Sequence, residues 1–166
     1  MNDELTRKDI EKMQAELDRL RSEMPAILEE VKRTRAFGDL SENFEYKAAK
    51  QAQNRNRSRT RYLEGMIKTA KVIADRSGAD EVGLFDKVEI YIPEDDEEET
   101  YKIVTSIRGD SMQGRISDAS PMGRALMGHK VGDTVTIRVN DTYSYEAEIR
   151  KIVAVPDDGS DAIRQY

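Results

Sequence analysis

Residues 10–31 read IEKMQAELDRLRSEMPAILEEV. Apolar side chains recur at Ile10, Met13, Leu17, Leu20, Met24, Ile27 and Val31, alternating steps of three and four. This is the 3.5-residue repeat of a coiled-coil seam, held for about three heptads. Just ahead of it, Thr6 and Asp9 stand at capping-box spacing, with Leu5 and Ile10 placed as a hydrophobic staple. Pro25 removes one hydrogen bond from the helix interior, so a bend is expected near Glu23.

A coiled-coil strand needs a partner, and the next segment supplies one. Gly38 reads as the C-cap of the first helix, and a second helix is expected from near Ser41. Its seam is Tyr46, Ala49, Gln53, Asn56, Thr60, Leu63, Ile67, Ala70 and Ala74, polar in the middle. Apolar pairing is therefore expected to be strongest between Leu63–Ala74 and Ile10–Leu20. Ser77-Gly78 ends the helix. Residues 1–76 thus read as an antiparallel helical hairpin, a rod about 45–50 Å long at ~1.5 Å rise per residue. The turn FGDLS lies at its far end, with an acidic tip near 38–42.

After Gly83 the period changes from 3.5 to 2. LFDKVEIYI, TYKIVTSI, TVTIRV and YSYEAEIRKI alternate apolar and polar residues, as half-buried antiparallel strands do. One short helix interrupts them, with Ser120 as N-cap, Pro121 at its first position and Gly128 past its end. EDDEEE (94–99) reads as a solvated hairpin loop. PDDGSDAIRQY lacks a packing pattern, which predicts a flexible tail over 156–166. The fold class is α+β: a coiled-coil hairpin, then a small curved antiparallel sheet with a short helix over 79–155.

Composition agrees. Of 166 residues, 37% are apolar and 36% charged, with no Trp, which suits an exposed coiled coil joined to a small globular unit. The absence of cysteine excludes disulfide, thiol and thiolate-metal chemistry. The first residues lack the apolar core of a signal peptide, and no stretch approaches membrane-spanning length, so the reading is a soluble, cytoplasmic protein. The net charge of −6 conceals an asymmetry. Between Lys47 and Lys71 stand Lys47, Lys50, Arg55, Arg57, Arg59, Arg61, Lys68 and Lys71 against the single acid Glu64, a local +7 on an acidic chain. Such a stripe points to one polyanionic partner surface.

Two features could carry chemistry. Asp39 and Glu42 stand three apart at the turn of the hairpin. They could cap the second helix as a capping box, favoured there by the helix dipole. They could equally complete the oxygen shell of a hard cation such as Mg²⁺, whose other ligands a partner would supply. Lys47, Lys50, Arg57 and Arg61 share one helix face through their three/four spacing. They form either a solvated face or a contact for nucleic-acid phosphates, sequence-blind and sensitive to salt. Arg55 and Arg59 would face elsewhere. His129, after the helix-ending Gly128, reads as a surface residue, and Tyr143 and Tyr145 as core packing. There is no phosphate-cradling glycine loop and no Ser/His/Asp set.

Three stretches carry a family resemblance: MPAILEEVKR (24–33), RAFGDLSENFEYKAAK (35–50) and GRISDASPMGRALMGHKVGD (114–133). In this order they resemble the bacterial transcript-cleavage factors of the GreA/GreB family, over roughly residues 5 to 153. The resemblance implies that the hairpin enters the secondary channel of bacterial RNA polymerase. There Asp39 and Glu42 would help hold the polymerase's second Mg²⁺, and the polymerase would hydrolyse the 3′ end of backtracked RNA. It further implies that Lys47, Lys50, Arg57 and Arg61 contact the nascent RNA 3′ segment. The C-terminal domain would be FKBP-like and dock on the polymerase through the SPMGRAL helix, with Ser120, Pro121 and Arg124. The protein would be a monomer with no cofactor of its own and no enzymatic activity of its own. Family members more often carry alanine where this chain has Phe44. Three alternatives stand beside this reading: a secondary-channel inhibitor of the polymerase, an FKBP-like prolyl isomerase, and a generic coiled-coil adaptor. Retention of both tip acids favours activation. The shortage of aromatics to line a pocket (Phe85, Tyr91, Tyr101, Tyr143 and Tyr145 before the tail) disfavours the isomerase.

Overall fold

The computed structural model describes residues 3–38, 43–73, 80–157 and 159–165. The chain divides into two compact units, Met1–Asp3 with Ile10–Ala70, and Glu4–Asp9 with Lys71–Tyr166. The first unit holds most of helix α1 (Arg7–Arg35) and helix α2 (Phe44–Thr69). As the seam predicts, Met13, Leu17, Leu20, Val31, Ala49 and Leu63 are buried. The pairing is antiparallel: Asn56 Nδ2 donates to Leu20 O at 2.9 Å, and Arg59 Nε to Glu16 Oε1 at 2.7 Å. Helix α1 runs through Pro25 without a break.

The seam of α2 departs from expectation in its second half. Arg59 and Met66 are buried, at 3% and 6% exposure, whereas Thr60 and Ile67 are only half-buried. Neighbouring helix positions differ by about 100° around the axis, so the heptad is shifted by one position here. An arginine can occupy such a site because Glu16 meets its guanidinium inside the seam, with side-chain exposures of 4% and 9%. A buried charge is tolerated when paired and hydrogen-bonded.

The second unit contains a five-stranded sheet ordered β5-β4-β3-β7-β6, from β3 (Lys87–Ile92), β4 (Glu97–Val104), β5 (Arg115–Ser117), β6 (Thr134–Arg138) and β7 (Ser144–Val153). Alternation places Val88, Ile90, Ile103, Val135, Ile137, Ala147 and Ile149 on the buried face, under Leu126 of α3 (Pro121–Leu126). Two expectations change here. The β4–β5 pair is parallel, because two 3₁₀ turns at 106–108 and 111–113 carry the chain back before it pairs. Glu97, Glu98 and Glu99, expected in a loop, are strand residues opposite Ile92, Tyr91 and Ile90. A separate two-stranded parallel sheet joins β1 (Glu4–Thr6) to β2 (Lys71–Ile73).

At the centre of this unit lies Arg108, fully buried. Its Nε donates to Asp9 Oδ1, and its Nη2 to Thr6 Oγ1 at 3.2 Å. Nη1 and Nη2 reach the two carboxylate oxygens of Asp157, both at 2.9 Å. Its guanidinium carbon lies 4.3 Å from the Phe85 ring centroid. Thr6 and Asp9 are themselves the expected capping box, with Thr6 N donating to Asp9 Oδ2 at 3.0 Å and Asp9 N to Thr6 Oγ1 at 3.2 Å. Burial opposes the charge of Arg108, and its hydrogen bonds to Asp157 and Asp9 outweigh that, raising its pKa.

These contacts overturn the expected flexible tail. Asp157 is bonded to Arg108, Asp161 takes a 2.7 Å bond from Lys102 Nζ, and Ile163 is buried. The segment packs through ion pairs, which leave no hydrophobic period to read.

Hydrogen bonds from Arg108 hold the Asp157 pKa down at about 2. A depressed carboxylate stabilises the fold above the ordinary value near 4 and loses that contribution as pH falls toward 2. Asp157→Asn is therefore expected to lower the melting temperature at neutral pH. Melting curves from pH 7 to 2 should show the gap to wild type closing between about pH 4 and pH 2.

Candidate functional site

The hairpin turn is framed by two helix ends with complementary needs. The end of α1 leaves carbonyl groups without partners, and the start of α2 leaves N–H groups. Asn43 serves both: its Oδ1 accepts from Tyr46 N at 2.9 Å, and its Nδ2 donates to Thr34 O at 2.7 Å. Phe37 N also bonds Thr34 O, at 3.1 Å, and Gly38 follows with φ +98°, a conformation that favours glycine. Helix α2 accordingly begins at Phe44 with Asn43 as its cap, and not near Ser41. Asp39, Ser41 and Glu42, and with them the capping box the two acids could form, lie outside the described residues.

Side chains around the turn pair cations with rings. Arg33 lies 5.2 Å from the Phe37 centroid, Arg35 5.8 Å from Tyr46, and Lys47 Nζ 5.5 Å from Phe44. Arg33 also bonds Glu30 at 2.6 Å, which lowers the Glu30 pKa and raises its own.

Of the predicted basic stripe, Lys47, Arg57 and Arg61 are exposed, and Lys50 is half-buried with Nζ on Gln53 Oε1 at 3.0 Å. These four span an arc of about 80° on α2. Arg57 and Arg61 line a groove of about 450 Å³ with Arg21, Met24, Asn56, Thr60 and Glu64. Arg59, expected to face elsewhere than this stripe, is the buried seam residue described above. No group of three or more His, Cys, Asp or Glu residues that could hold a metal occurs among the described residues. No helix among them is long and apolar enough to cross a membrane.

In the sheet unit, Ser120 caps α3, accepting from Gly123 N at 3.1 Å and donating to Ser117 O at 2.6 Å. Its side chain is thereby committed to the fold. Pro121 and Arg124 are exposed beside it. A Cβ on Gly123 would lie 2.0 Å from Ser117 O, so the helix packs against this turn only as glycine. His129 is exposed, 3.3 Å from Asp133, whose pKa is lowered first by a hydrogen bond from Lys130 N. Tyr145 is half-buried and Tyr143 is 46% exposed, so their pair, 6.0 Å between centroids, belongs to the surface more than to the core.

Comparison with known proteins follows the same division. Residues 4–72 match the family model "Transcription elongation factor, N-terminal", and residues 77–154 match "Transcription elongation factor, GreA/GreB, C-term". The chain belongs to the GreA/GreB family. It is 42% identical over 147 residues to transcription elongation factor GreA of Oenococcus oeni, covering 87% of this chain and 91% of that one. The GreA of Thermoanaerobacter pseudethanolicus is 43% identical over 137 residues, covering 81% and 87%. Among solved structures, the GreA factor homolog 1 protein of Thermus thermophilus aligns at 27% identity with a TM-score of 0.45, covering 93% of this chain and all of that one.

Sequence reasoning missed Asn43 and the exposed Phe37. Both signals were present: SEN offers two capping types, Ser41 and Asn43, and Phe37 opens the turn FGDLS with a large apolar side chain. Asn43→Ala should cost about 1 kcal/mol for the cap, read as a lower melting temperature, with added fraying of the last turn of α1 because Thr34 O loses a donor. Faster amide exchange at Tyr46 in the variant is the check.

Proposed function

We propose that this chain acts as a transcription elongation factor that enters the secondary channel of bacterial RNA polymerase. There it stimulates the polymerase's own cleavage of backtracked RNA and rescues arrested complexes. The chemistry belongs to the polymerase: this chain is a cytoplasmic activator, a monomer with no nuclease activity and no cofactor of its own. The observation that carries the reading is the division of labour at the turn. Asn43 caps α2 and ties it to α1, so the N-cap position of this helix is filled by an amide and not by either acid.

Asp39 and Glu42 would hold a Mg²⁺ ion bound in the polymerase active site. Their hard oxygen donors suit it, and Mg²⁺ typically takes only one or two protein carboxylates. When bound, such an ion activates water and stabilises the leaving oxygen. The rest of the hairpin positions these two side chains. Lys47, Arg57 and Arg61 would meet the phosphates of the extruded RNA, and Pro121 and Arg124 would dock the sheet unit on the polymerase. The inhibitor alternative is not favoured, since the curated relatives named above carry the name GreA.

The test is cleavage of a stalled, backtracked bacterial elongation complex. The double variant Asp39→Asn, Glu42→Gln should abolish stimulated cleavage while still competing with wild type for the polymerase. Undiminished cleavage would sink the mechanism.

Reversing Lys47, Arg57 and Arg61 to Glu should weaken action on long extruded RNA more than on complexes backtracked by a few nucleotides. The defect should be largest at low salt, where phosphate contacts contribute most. Lys50 is left intact because its bond to the buried Gln53 would confound the stability control.

A further inference from the structure

Phe44 is 79% exposed and Phe37 is 55% exposed, one on each side of the hairpin turn. Neither belongs to a buried cluster of its unit. Phe44 stands at the first position of α2, where alanine is the better helix former, so packing and propensity leave it unexplained. Each ring has a cation on it, Lys47 at 5.5 Å and Arg33 at 5.2 Å, and Arg35 adds a third cation 5.8 Å from Tyr46. Single-stranded nucleic acid is held by aromatic rings interleaved with cations, and lysine, which lies on Phe44 here, is depleted at protein–protein interfaces.

We propose that Phe44 and Phe37 form a stacking platform for unpaired nucleobases of RNA, with Lys47 and Arg35 meeting the adjacent phosphates. The occupant is single-stranded RNA. Recognition is sequence-tolerant, because every base offers a π face. The platform would grip the strand from the two flanks of the turn, Phe37 and Phe44. This rests on the reading that the tip meets backtracked RNA and deepens it by naming what the rings bind.

The first test uses the full chain in backtracked elongation complexes whose extruded 3′ nucleotide either carries a base or is an abasic ribose. Phe44→Ala should raise the factor concentration for half-maximal cleavage on the order of tenfold with the base present. It should change little with the abasic end, and Phe44→Trp should restore the wild-type value. An equal shift in both complexes, as a protein occupant predicts, overturns the proposal, and so does no shift in either. The second test needs no polymerase: a 2-aminopurine-labelled oligoribonucleotide is titrated with the free protein. Quenching by wild type that Phe37→Ala, Phe44→Ala lacks supports the platform. No quenching, or equal quenching by the variant, overturns it. A wild-type chain that quenches but stimulates no cleavage would count against the proposed function alone.

Discussion

One buried guanidinium organises the sheet unit. From its own 3₁₀ turn, the Arg108 side chain hydrogen-bonds to two stretches far away in sequence, the capping box at Thr6 and Asp9 and the tail at Asp157. Desolvating an arginine is expensive, and the cost is met only if several partners converge at good geometry. Phe85 closes the arrangement from below, and it does so at a φ of +71°, which a bulky side chain seldom adopts. A strained aromatic is tolerated because its ring covers the cation and its N–H bonds Ile103 O at 2.6 Å. Removing either Asp9 or Asp157 breaks a buried pair and leaves the guanidinium only partly compensated, a change whose usual cost is about 3–5 kcal/mol. Residues 4–9 therefore belong to this unit, although the sequence reads as if the hairpin started there.

The hairpin obeys the same rule in a different setting. Its seam carries Gln53, Asn56 and Arg59, all buried, where a stability-optimised coiled coil would carry leucine. Each has a fixed partner: Lys50 for Gln53, Leu20 O for Asn56 and Glu16 for Arg59. Polar seam residues cost stability and define register, because a slip by one turn strands Asn56 and Arg59, whose partners stand on the other helix. On the proposed function the hairpin must present its turn at a set distance, and there register matters more than strength.

What could be read from the sequence, and what could not, follows from interaction range. The heptads of α1, the Thr6–Asp9 box, the strands by alternation and the Ser120–Pro121 helix start are local patterns, and all are present in the fold. The Arg108 cluster is not local: Asp9 and Asp157 lie 99 and 49 residues away. No period marks an ion-paired tail, so 156–166 reads as loose while Ile163 is in fact buried. The seam error at Arg59 has a subtler cause. Hydropathy prefers Thr60, and only the facing Glu16 makes the arginine acceptable inside. The parallel β4–β5 pair depends on two 3₁₀ turns that carry no hydrophobic signature. At the site, the stripe on α2 was legible as a face, whereas the capping role of Asn43 was hidden among neighbouring capping residues.

The asparagine cap explains why the turn can carry acid at all. An Asp or Glu that caps a helix has its oxygens occupied by backbone N–H groups, which makes it a poorer donor to a metal. A neutral amide at the cap makes both connections, to Tyr46 N and Thr34 O, without using a charge. Lys32, Arg33 and Arg35 in the last turn of α1 complement the negative end of its dipole, and Glu45 in the first turn of α2 the positive end of its own. Helix chemistry is thus satisfied from the flanks. The functional consequence proposed for Asp39 and Glu42 then requires only that their oxygens remain available to a cation supplied from outside. On the proposed reading, the helix cap and metal donation fall to different residues, which is the condition for changing one without losing the other.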